Sequence, residues 1–320
     1  MHDPDIAVVM ACHNGLPYLS DAVESIRGQT FDRFELIVVD DGSTDGSGDY
    51  LRSVADADPR VRVITQVQSG QQAAANRGIA AAKAPLIARM DADDVSSPDR
   101  LAKQVEYMDR HPEVGLAGSQ IRRLGSRGGG LTSSFPLDHR RIVAELMQNR
   151  HAMCNPSVVF RKSLFDQIGG YWDHNIAEDW DMFLRMADVS KLANLPNVLL
   201  DYRFHTGSIN GRRIVEAQFF NEYAADRARR RQDGQPDLSV DEFRQTHRSN
   251  HFPGNWTFYM DAQSIGQYRE AIADIYGGHP VRGYARLMLS ASMSPQRTTR
   301  RIARLLRRVI SPKPSIESSD

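Results

Sequence analysis

The chain has 320 residues, of which 40 are basic, 40 are acidic and 41% are hydrophobic. This length can bury a full hydrophobic core and can hold one large domain or two small ones. The balanced charge gives no general attraction to nucleic acid, so we expect no nucleic-acid partner. Two cysteines without CxxC spacing argue against a disulfide framework and a zinc site. Without a signal-peptide pattern or a membrane-spanning apolar run, a cytoplasmic protein is expected.

Strands and helices are predicted to alternate along the first half of the chain. Apolar, β-branched runs predict strands at 6–10, 34–40, 61–65, 85–90 and 114–118. Four apolar residues at helical spacing predict a helix between the first two strands: Leu19, Ala22, Val23 and Ile26. Another helix is predicted to have Ser97 as its cap and Pro98 at its first position. The alternation predicts an α/β fold, with a mostly parallel sheet flanked by helices and a helical C-terminal extension.

Three carboxylates follow the predicted strand at 85–90, those of Asp91, Asp93 and Asp94. Ligands of open α/β sheets bind beyond the carboxyl ends of the strands, which is where these acids fall. Acids so close together repel one another unless a cation joins them. Mg²⁺ and Mn²⁺ prefer hard oxygen ligands and share their coordination with phosphates. The alternative is a solvated acidic loop, because aspartate-rich turns are common.

Three further stretches carry candidate functional groups. The turn "DDGSTDGS" at 40–47 lacks the glycine spacing of phosphate-binding loops, and its leading acids suit hydrogen bonds from a base or a sugar hydroxyl. A helix-capping turn explains it equally well. Asp179 stands at the start of a predicted helix, where it is either a helix-terminal acid or a general base. His205 is either structural or an additional ligand of a carboxylate-bound ion.

Taken together, these stretches resemble the inverting glycosyltransferases of family 2, which have the GT-A fold. The matching segments, in the order of the family, are "VVMACHNGLPYLSDAVESIRGQTFDRFELIVVDDGSTDGS", "NRGIAAAKAPLIARMDADDVSSPDRL", "NPSVVFRKSLFDQIGGYWDHNIAEDWDMFLRMA" and "YRFHTGSI". They cover roughly residues 6–210. Four ordered motifs over this length are much more specific than a single DxD pair.

The resemblance implies a nucleotide-sugar donor, with a UDP-sugar expected, and Mn²⁺ or Mg²⁺ as cofactor. It implies that the donor is bound by Ala11, Asn14, Asp41, Asn76, Arg77 and Asp91. It implies metal ligation by Asp93, Asp91 and His205, with Asp94 in reserve, and it makes Asp179 the catalytic base. The expected acceptor is a hydroxyl of a cell-surface or lipid-linked glycan. Because a QxxRW-type segment is missing, we expect the addition of one or a few sugars rather than of a long polymer.

Two other functions fit the sequence less well than a transferase does. A sugar-nucleotide pyrophosphorylase would need an N-terminal glycine-rich loop that ends in basic residues, and "ACHNGLPYL" has neither property. A degenerate, non-catalytic binding subunit would have lost the DxD pair or the acid at 179, and both are present.

The predicted domains are a GT-A transferase domain at 1–210 and a helical region at 211–320. The latter ends in a basic amphipathic segment at 296–310, "QRTTRRIARLLRRVI". Such a helix lies on an anionic membrane surface or docks its apolar face on the core, and the sequence leaves both open. A peripheral position on the inner face of the cell membrane is the corresponding expectation for location.

Overall fold

The computed structural model describes residues 3–124, 131–173, 176–203, 214–246, 256–276, 278–296 and 298–299. His205 therefore lies outside the described residues, and so does nearly all of the predicted basic segment at 296–310. Among the described helices, none is both long enough and apolar enough to cross a membrane.

Within the described residues, eight strands form one sheet. They are β1 (Ile6–Cys12), β2 (Phe34–Asp41), β3 (Val61–Gln66), β4 (Leu86–Asp91), β5 (Val95–Ser96), β6 (Val114–Leu124), β7 (Val159–Arg161) and β8 (Lys191–Arg203). Their order across the sheet is β3-β2-β1-β4-β7-β6-β8-β5. The first four strands in this order, β3, β2, β1 and β4, are parallel to one another, and β6 is parallel to β8. Strand β7 is antiparallel to both of its neighbours, and β5 is antiparallel to β8. The predicted, mostly parallel α/β sheet is confirmed.

Helices connect and flank these strands. They are α1 (Leu19–Arg27), α2 (Ser47–Ala57), α3 (Gln71–Ala81), α4 (Arg100–Arg110), α5 (His139–Met147), α6 (Lys162–Gln167), α7 (Glu178–Val189), α8 (Ile214–Gln232), α9 (Val240–Thr246), α10 (Trp256–Tyr276) and α11 (Pro280–Met293). The predicted start of α4 was wrong, because Ser97 and Pro98 lie in a turn before it. The backbone N–H of Arg100 bonds to the carbonyl of Ser97, and the Ser97 hydroxyl donates to Asp99 rather than capping the helix.

Strands β1, β2 and β4 are buried on both faces, which explains why they read as continuous apolar runs, whereas the edge strand β3 is only partly buried. The four apolar residues that predicted α1 are all fully buried, in one core cluster with alternate residues of β1. On the other face α3 lies close to the sheet at Gly78. A Cβ atom at that position would lie 2.6 Å from Cγ1 of Val9, so only glycine permits this approach.

The chain divides into two compact units. The first comprises Met1–Phe204 and Ala217–Ser239, and it holds the sheet and the larger part of α8. The second comprises His205–Glu216 and Val240–Asp320, in which α10 and α11 pack against each other. The C-terminal helices that the sequence predicts are thus confirmed, while the division into a transferase domain at 1–210 and an extension at 211–320 stays a prediction.

Candidate functional site

The candidate site lies at the carboxyl ends of neighbouring parallel strands. Strand β1 pairs with β2 on one side and β4 on the other, and Ala11 is in register with Val39 and Asp91. Since the three strands run in the same direction, the residues that follow them meet at one edge of the sheet. This is the position at which open α/β sheets bind ligands. The two acidic motifs predicted to carry the chemistry both begin here.

The three carboxylates after β4 form one cluster. Asp91, Asp93 and Asp94 each offer an oxygen atom, and these atoms lie within 4.8 Å of one another. Asp94 is fully buried. Its Oδ1 accepts a hydrogen bond from the backbone N–H of Arg203 at 2.8 Å, whereas its Oδ2 is buried and accepts none within the described part of the chain. A buried carboxylate oxygen without a donor is suited to a cation or to a proton.

Burial and mutual repulsion raise the pKa values of two of these acids. The pKa of Asp91 rises from 3.8 to about 6, mainly through burial, with the charge of Arg89 opposing the shift and those of Asp93 and Asp179 adding to it. The pKa of Asp94 is raised well above its ordinary value by burial and by its two acidic neighbours. In the absence of a cation, the cluster therefore binds protons more readily than isolated aspartates do.

Buried arginines supply part of the positive charge that the cluster needs. Arg89, in β4, is 1% exposed and donates to Oδ1 of Asp91 at 3.2 Å and to the carbonyl of Val9 at 2.9 Å. The side chain of Gln71, at the start of α3, donates to the same Asp91 oxygen. Arg203 holds the neighbouring turn, because its Nε donates to the carbonyl of Asp93 at 2.8 Å. The sequence suggested a bound cation as what offsets the repulsion among these acids. The structure shows that arginine side chains contribute positive charge as well.

A second pair of acids stands at the start of α7, which begins at Glu178 as predicted from the sequence. After burial and the charge of Asp93, the charge of Asp179 also raises the pKa of Asp91, so the start of α7 lies within electrostatic range of the aspartate cluster. Burial and then the charge of Asp179 raise the pKa of Glu178 to about 7. One oxygen of Asp179 accepts a hydrogen bond from the backbone N–H of Trp180, and this bond orients its carboxylate.

An ion-pair network fixes α7 in place. Asp181, which is buried, accepts hydrogen bonds from Arg185 at 2.6 Å and from Arg227 of α8 at 2.9 Å. The guanidinium of Arg185 also donates to the carbonyls of Ile168 and Gly170, in the segment before α7. Since buried, multiply bonded ion pairs have little freedom, the two acids at the helix start are held at a defined position.

Asp41, at the end of β2, is buried and bonded to the loop before α3. Its Oδ1 accepts from the side chain of Gln66 at 2.7 Å and from the backbone N–H of Ser69 at 2.8 Å. Its Oδ2 accepts from the backbone N–H of Gly70 at 2.8 Å. A carboxylate has about four acceptor positions, so one on Oδ2 has no donor among the described residues. Elsewhere in the acidic turn, Asp45 accepts from the backbone N–H of Ser47 and from that of Leu16, in the loop after β1, and α2 begins without a side-chain cap.

The other predicted donor-binding residues have the following contacts. Asn14 has a positive φ of 51°, and its side-chain oxygen accepts from the backbone N–H of Thr44, which joins the loops after β1 and β2. Asn76 donates to the carbonyl of Tyr171 and accepts from its N–H, both at 3.0 Å. Arg77 is exposed and donates to Gln66. The donor roles proposed for these residues stay predictions.

Sequence reasoning missed several groups that lie near the cluster. Arg89 had a readable signal, because it is a charged residue inside an otherwise apolar strand. Glu178 had a readable signal as well, because it directly precedes Asp179 in the sequence. Cys154 and Tyr202 carried no local signal, yet the charges of Asp94 and Asp91 help raise the pKa of both, after burial as the main cause. Their proximity to the cluster depends on tertiary structure alone.

The donor set fits a hard divalent cation. All three clustered groups are carboxylates, which are the ligands that Mg²⁺ and Mn²⁺ favour. The free, buried Oδ2 of Asp94 provides an oxygen that no described donor has taken. His205, the remaining predicted ligand, lies outside the described residues.

Comparisons with known proteins point to one family. The model of the family described as "Glycosyl transferase family 2" matches residues 7–169. The amylovoran biosynthesis glycosyltransferase AmsE of Erwinia amylovora is 33% identical over 202 residues, which cover 61% of this chain and 74% of AmsE. The O-antigen biosynthesis glycosyltransferase WbnJ of Escherichia coli is 32% identical over 213 residues, which cover 63% of this chain and 81% of WbnJ.

Solved structures show the same fold at low sequence identity. S. aureus TarS 1-349, solved in complex with UDP-GlcNAc, has a TM-score of 0.61 and 15% identity, over 92% of this chain and 91% of TarS. The mannosyltransferase PcManGT of Pyrobaculum calidifontis, solved with GDP-Man and Mn²⁺, has a TM-score of 0.54 and 17% identity. The match covers 92% of this chain and 88% of PcManGT.

The chain belongs to glycosyltransferase family 2, and it is a glycosyltransferase with a GT-A type fold. The family resemblance inferred from the four sequence motifs is confirmed.

Proposed function

We propose that this enzyme moves a sugar, with inversion, from a nucleoside diphosphate donor to a hydroxyl of a cell-surface or lipid-linked glycan. The observation that carries the proposal is the convergence of the three carboxylates after β4 with the acids at the start of α7. One group of acids can bind a cation beside the diphosphate while another accepts a proton. AmsE and WbnJ, whose names refer to amylovoran and O-antigen biosynthesis, support a glycan acceptor.

In this proposal Asp93 and Asp91 hold Mn²⁺ or Mg²⁺, with Asp94 as a third carboxylate and His205 as the remaining candidate ligand. The ion, when bound, acts as a Lewis acid that offsets the negative charge gained by the leaving nucleoside diphosphate. Burial raises the pKa of Asp91, whereas the charge of Arg89 and the hydrogen bond from Gln71 oppose this rise and favour the ionised carboxylate. Binding of a dication therefore also relieves the repulsion among the three acids.

Asp179 is the proposed general base. Its carboxylate accepts the proton of the acceptor hydroxyl as that oxygen bonds to the anomeric carbon, while the bond from this carbon to the diphosphate oxygen breaks. A single displacement of this kind inverts the anomeric configuration. One oxygen of Asp179 accepts a hydrogen bond from the backbone N–H of Trp180, which orients the carboxylate.

The nucleotide is proposed to bind between the ends of β1 and β2, against Ala11, Asn14 and Asp41. The remaining acceptor position on Oδ2 of Asp41 suits an N–H group of a pyrimidine such as uracil. Asn76 and Arg77 of α3 are the proposed diphosphate-side residues. We propose uridine as the nucleoside of the donor, and the experiment compares it with a guanosine donor.

The experiment measures donor binding and sugar transfer separately. Calorimetric titration with UDP-sugars, GDP-mannose and dTDP-sugars is run with Mn²⁺ and with EDTA, and transfer is then assayed with the donor that binds. Asp93→Ala should weaken Mn²⁺-dependent donor binding. Asp179→Asn should keep donor binding but lower the transfer rate about 10²–10⁴-fold. Asp109→Asn, an exposed acid at the end of α4, is the matched control and should change neither quantity.

Two results would contradict the proposal. If no nucleotide sugar binds more tightly with Mn²⁺ or Mg²⁺ than with EDTA, the metal assignment is wrong. If Asp179→Asn transfers sugar at the wild-type rate, another group is the base.

A further inference from the structure

Arg227, in α8, joins the two stretches of chain that flank the proposed base, Asp179. Its Nη1 donates to Oδ1 of Asp181, just after Asp179 in α7, at 2.9 Å. The carbon of its guanidinium lies 5.4 Å from the centre of the Trp172 ring, in the segment before α7, which is within the range of a cation–π contact. A single guanidinium thus holds the chain on both sides of Asp179.

The backbone between these two stretches is strained immediately before α7. Ala177 has a φ of 57° and a ψ of 25°, in the left-handed region that residues with a Cβ atom rarely adopt. Such a conformation is unfavourable by itself and persists only where the surrounding contacts impose it. Because Ala177 directly precedes α7, this turn sets the direction of the helix and with it the position of Asp179.

Arg227 is itself fixed by other residues of the first unit. Its Nε donates to Oδ2 of Asp237, in the loop after α8, at 2.7 Å. Its guanidinium carbon lies 5.8 Å from the centre of the Tyr223 ring, which stacks on Trp172 with ring centres 5.7 Å apart. The hydroxyl of Tyr223 donates to the carbonyl of Leu238 at 2.6 Å. Since these contacts restrict its rotamer, Arg227 is a rigid support for the segment before α7.

The contribution of Arg227 differs from that of Arg185, the other partner of Asp181. Arg185 belongs to α7, so its bonds to Asp181 and to two carbonyls of the preceding segment tie α7 to that segment alone. Arg227 connects both of them to a different helix. Helix α8 lies beyond residues 7–169, which the family model matches, so this support comes from a later part of the chain.

We propose that Arg227 is a positioning residue that holds α7 and the segment before it in the orientation in which Asp179 meets the acceptor hydroxyl. This role rests on the proposed function of Asp179 as general base. The contacts of Arg227 given above include none with the aspartate cluster or with the proposed nucleotide site. Its replacement should therefore slow sugar transfer and leave donor binding unchanged.

The test compares one substitution at two positions of α8. Arg227→Lys keeps a cation beside Asp181 but lacks the planar guanidinium that also contacts Trp172. Arg231→Lys is the matched control, because Arg231 also donates through its Nε to an acid of α7, Asp188, at 2.7 Å, near the other end of that helix. Both substitutions keep the charge, so thermal unfolding should show a folded protein in both cases.

Donor binding and turnover are measured for each protein. Calorimetric titration in the presence of Mn²⁺, with the member of the UDP-sugar, GDP-mannose and dTDP-sugar panel that binds most tightly, gives the donor Kd and the number of sites. Release of the nucleoside diphosphate from the same nucleotide sugar, with water as the acceptor, gives kcat. Arg227→Lys should lower kcat about 10–100-fold, because the base is misplaced, at an unchanged Kd and number of sites. Arg231→Lys should match the wild type in all three quantities.

Asp179→Asn separates the role of Arg227 from the proposed function. If Asp179→Asn turns over at the wild-type rate, the base assignment is wrong, and the role of Arg227 falls with it. If Asp179→Asn is slow and Arg227→Lys is not, only the role of Arg227 is wrong. In the Asp179→Asn background, Arg227→Lys should lower kcat no further, because it acts through Asp179. An equal loss in both backgrounds, an equal loss in Arg231→Lys, or weaker donor binding by Arg227→Lys would overturn the proposal.

Discussion

Replacing Arg89 by methionine removes the counter-ion of Asp91 while it keeps a long apolar side chain in β4. The guanidinium is buried and donates to Asp91 at 3.2 Å and to the Val9 carbonyl at 2.9 Å. Removing one partner of a buried ion pair costs about 3–5 kcal/mol. Because the Asp91 side chain is 23% exposed and also accepts from Gln71, we expect a loss near the lower end, about 3 kcal/mol in the free energy of unfolding.

The size of this loss should depend on pH. The pKa of Asp91 is about 6 in the folded protein and 3.8 ordinarily, so the folded state binds the proton more tightly than the unfolded state. Stability from this group is complete below the ordinary pKa and is lost as the pH rises through 6. Without Arg89 the pKa of Asp91 rises further, and the loss extends to higher pH. The substitution should therefore cost less in mild acid than in mild base.

Urea unfolding of metal-free protein, followed by tryptophan fluorescence over a pH series, measures these differences. In an Asp91→Asn background, Arg89→Met should cost about 1–2 kcal/mol less than in wild type, because no carboxylate is left without a partner. Arg161→Met is the control, since this partly buried arginine donates to the backbone carbonyls of Val114, Met108 and His111. Its cost should change little in the Asp91→Asn background. An Arg89→Met cost that is equal in both backgrounds and at every pH would refute the ion-pair reasoning.

Three further substitutions test the packing and the buried charges. Asp58→Asn should lower the free energy of unfolding by about 1–3 kcal/mol at neutral pH. This difference should vanish in strong acid, because Arg60 holds the pKa of Asp58 well below its ordinary range. Urea unfolding at both pH values measures the difference. Gly78→Ala should lose about 1–3 kcal/mol in the same assay, because its Cβ would overlap Val9. Burial raises the pKa of Glu178 to about 7, so the wild-type protein should lose stability as the pH rises through that value. Glu178→Gln should remove this part of the pH dependence, and a pH profile parallel to that of the wild type would contradict the reasoning.

The local pattern of residues was sufficient for the first half of the fold. Parallel strands buried on both faces are continuous apolar runs, so β1, β2 and β4 could be predicted from composition alone. The helical spacing of the residues buried in α1 identified that helix. The start of α4 could not be predicted, because Ser97 and Pro98 suit a turn as well as a helix start, and contacts with the rest of the chain decide between the two.

For the site, the sequence determined which acids are present and that they follow strands or begin helices, because those properties depend on neighbours along the chain. Only the tertiary structure decided that Asp91 pairs with Arg89, that an oxygen of Asp94 is buried without a described donor, and that Asp179 approaches the cluster. The physical reason is that pairing and burial depend on the register and crossing of elements far apart in sequence. Hydrophobic periodicity reports which face of an element is buried, but not which side chains meet there.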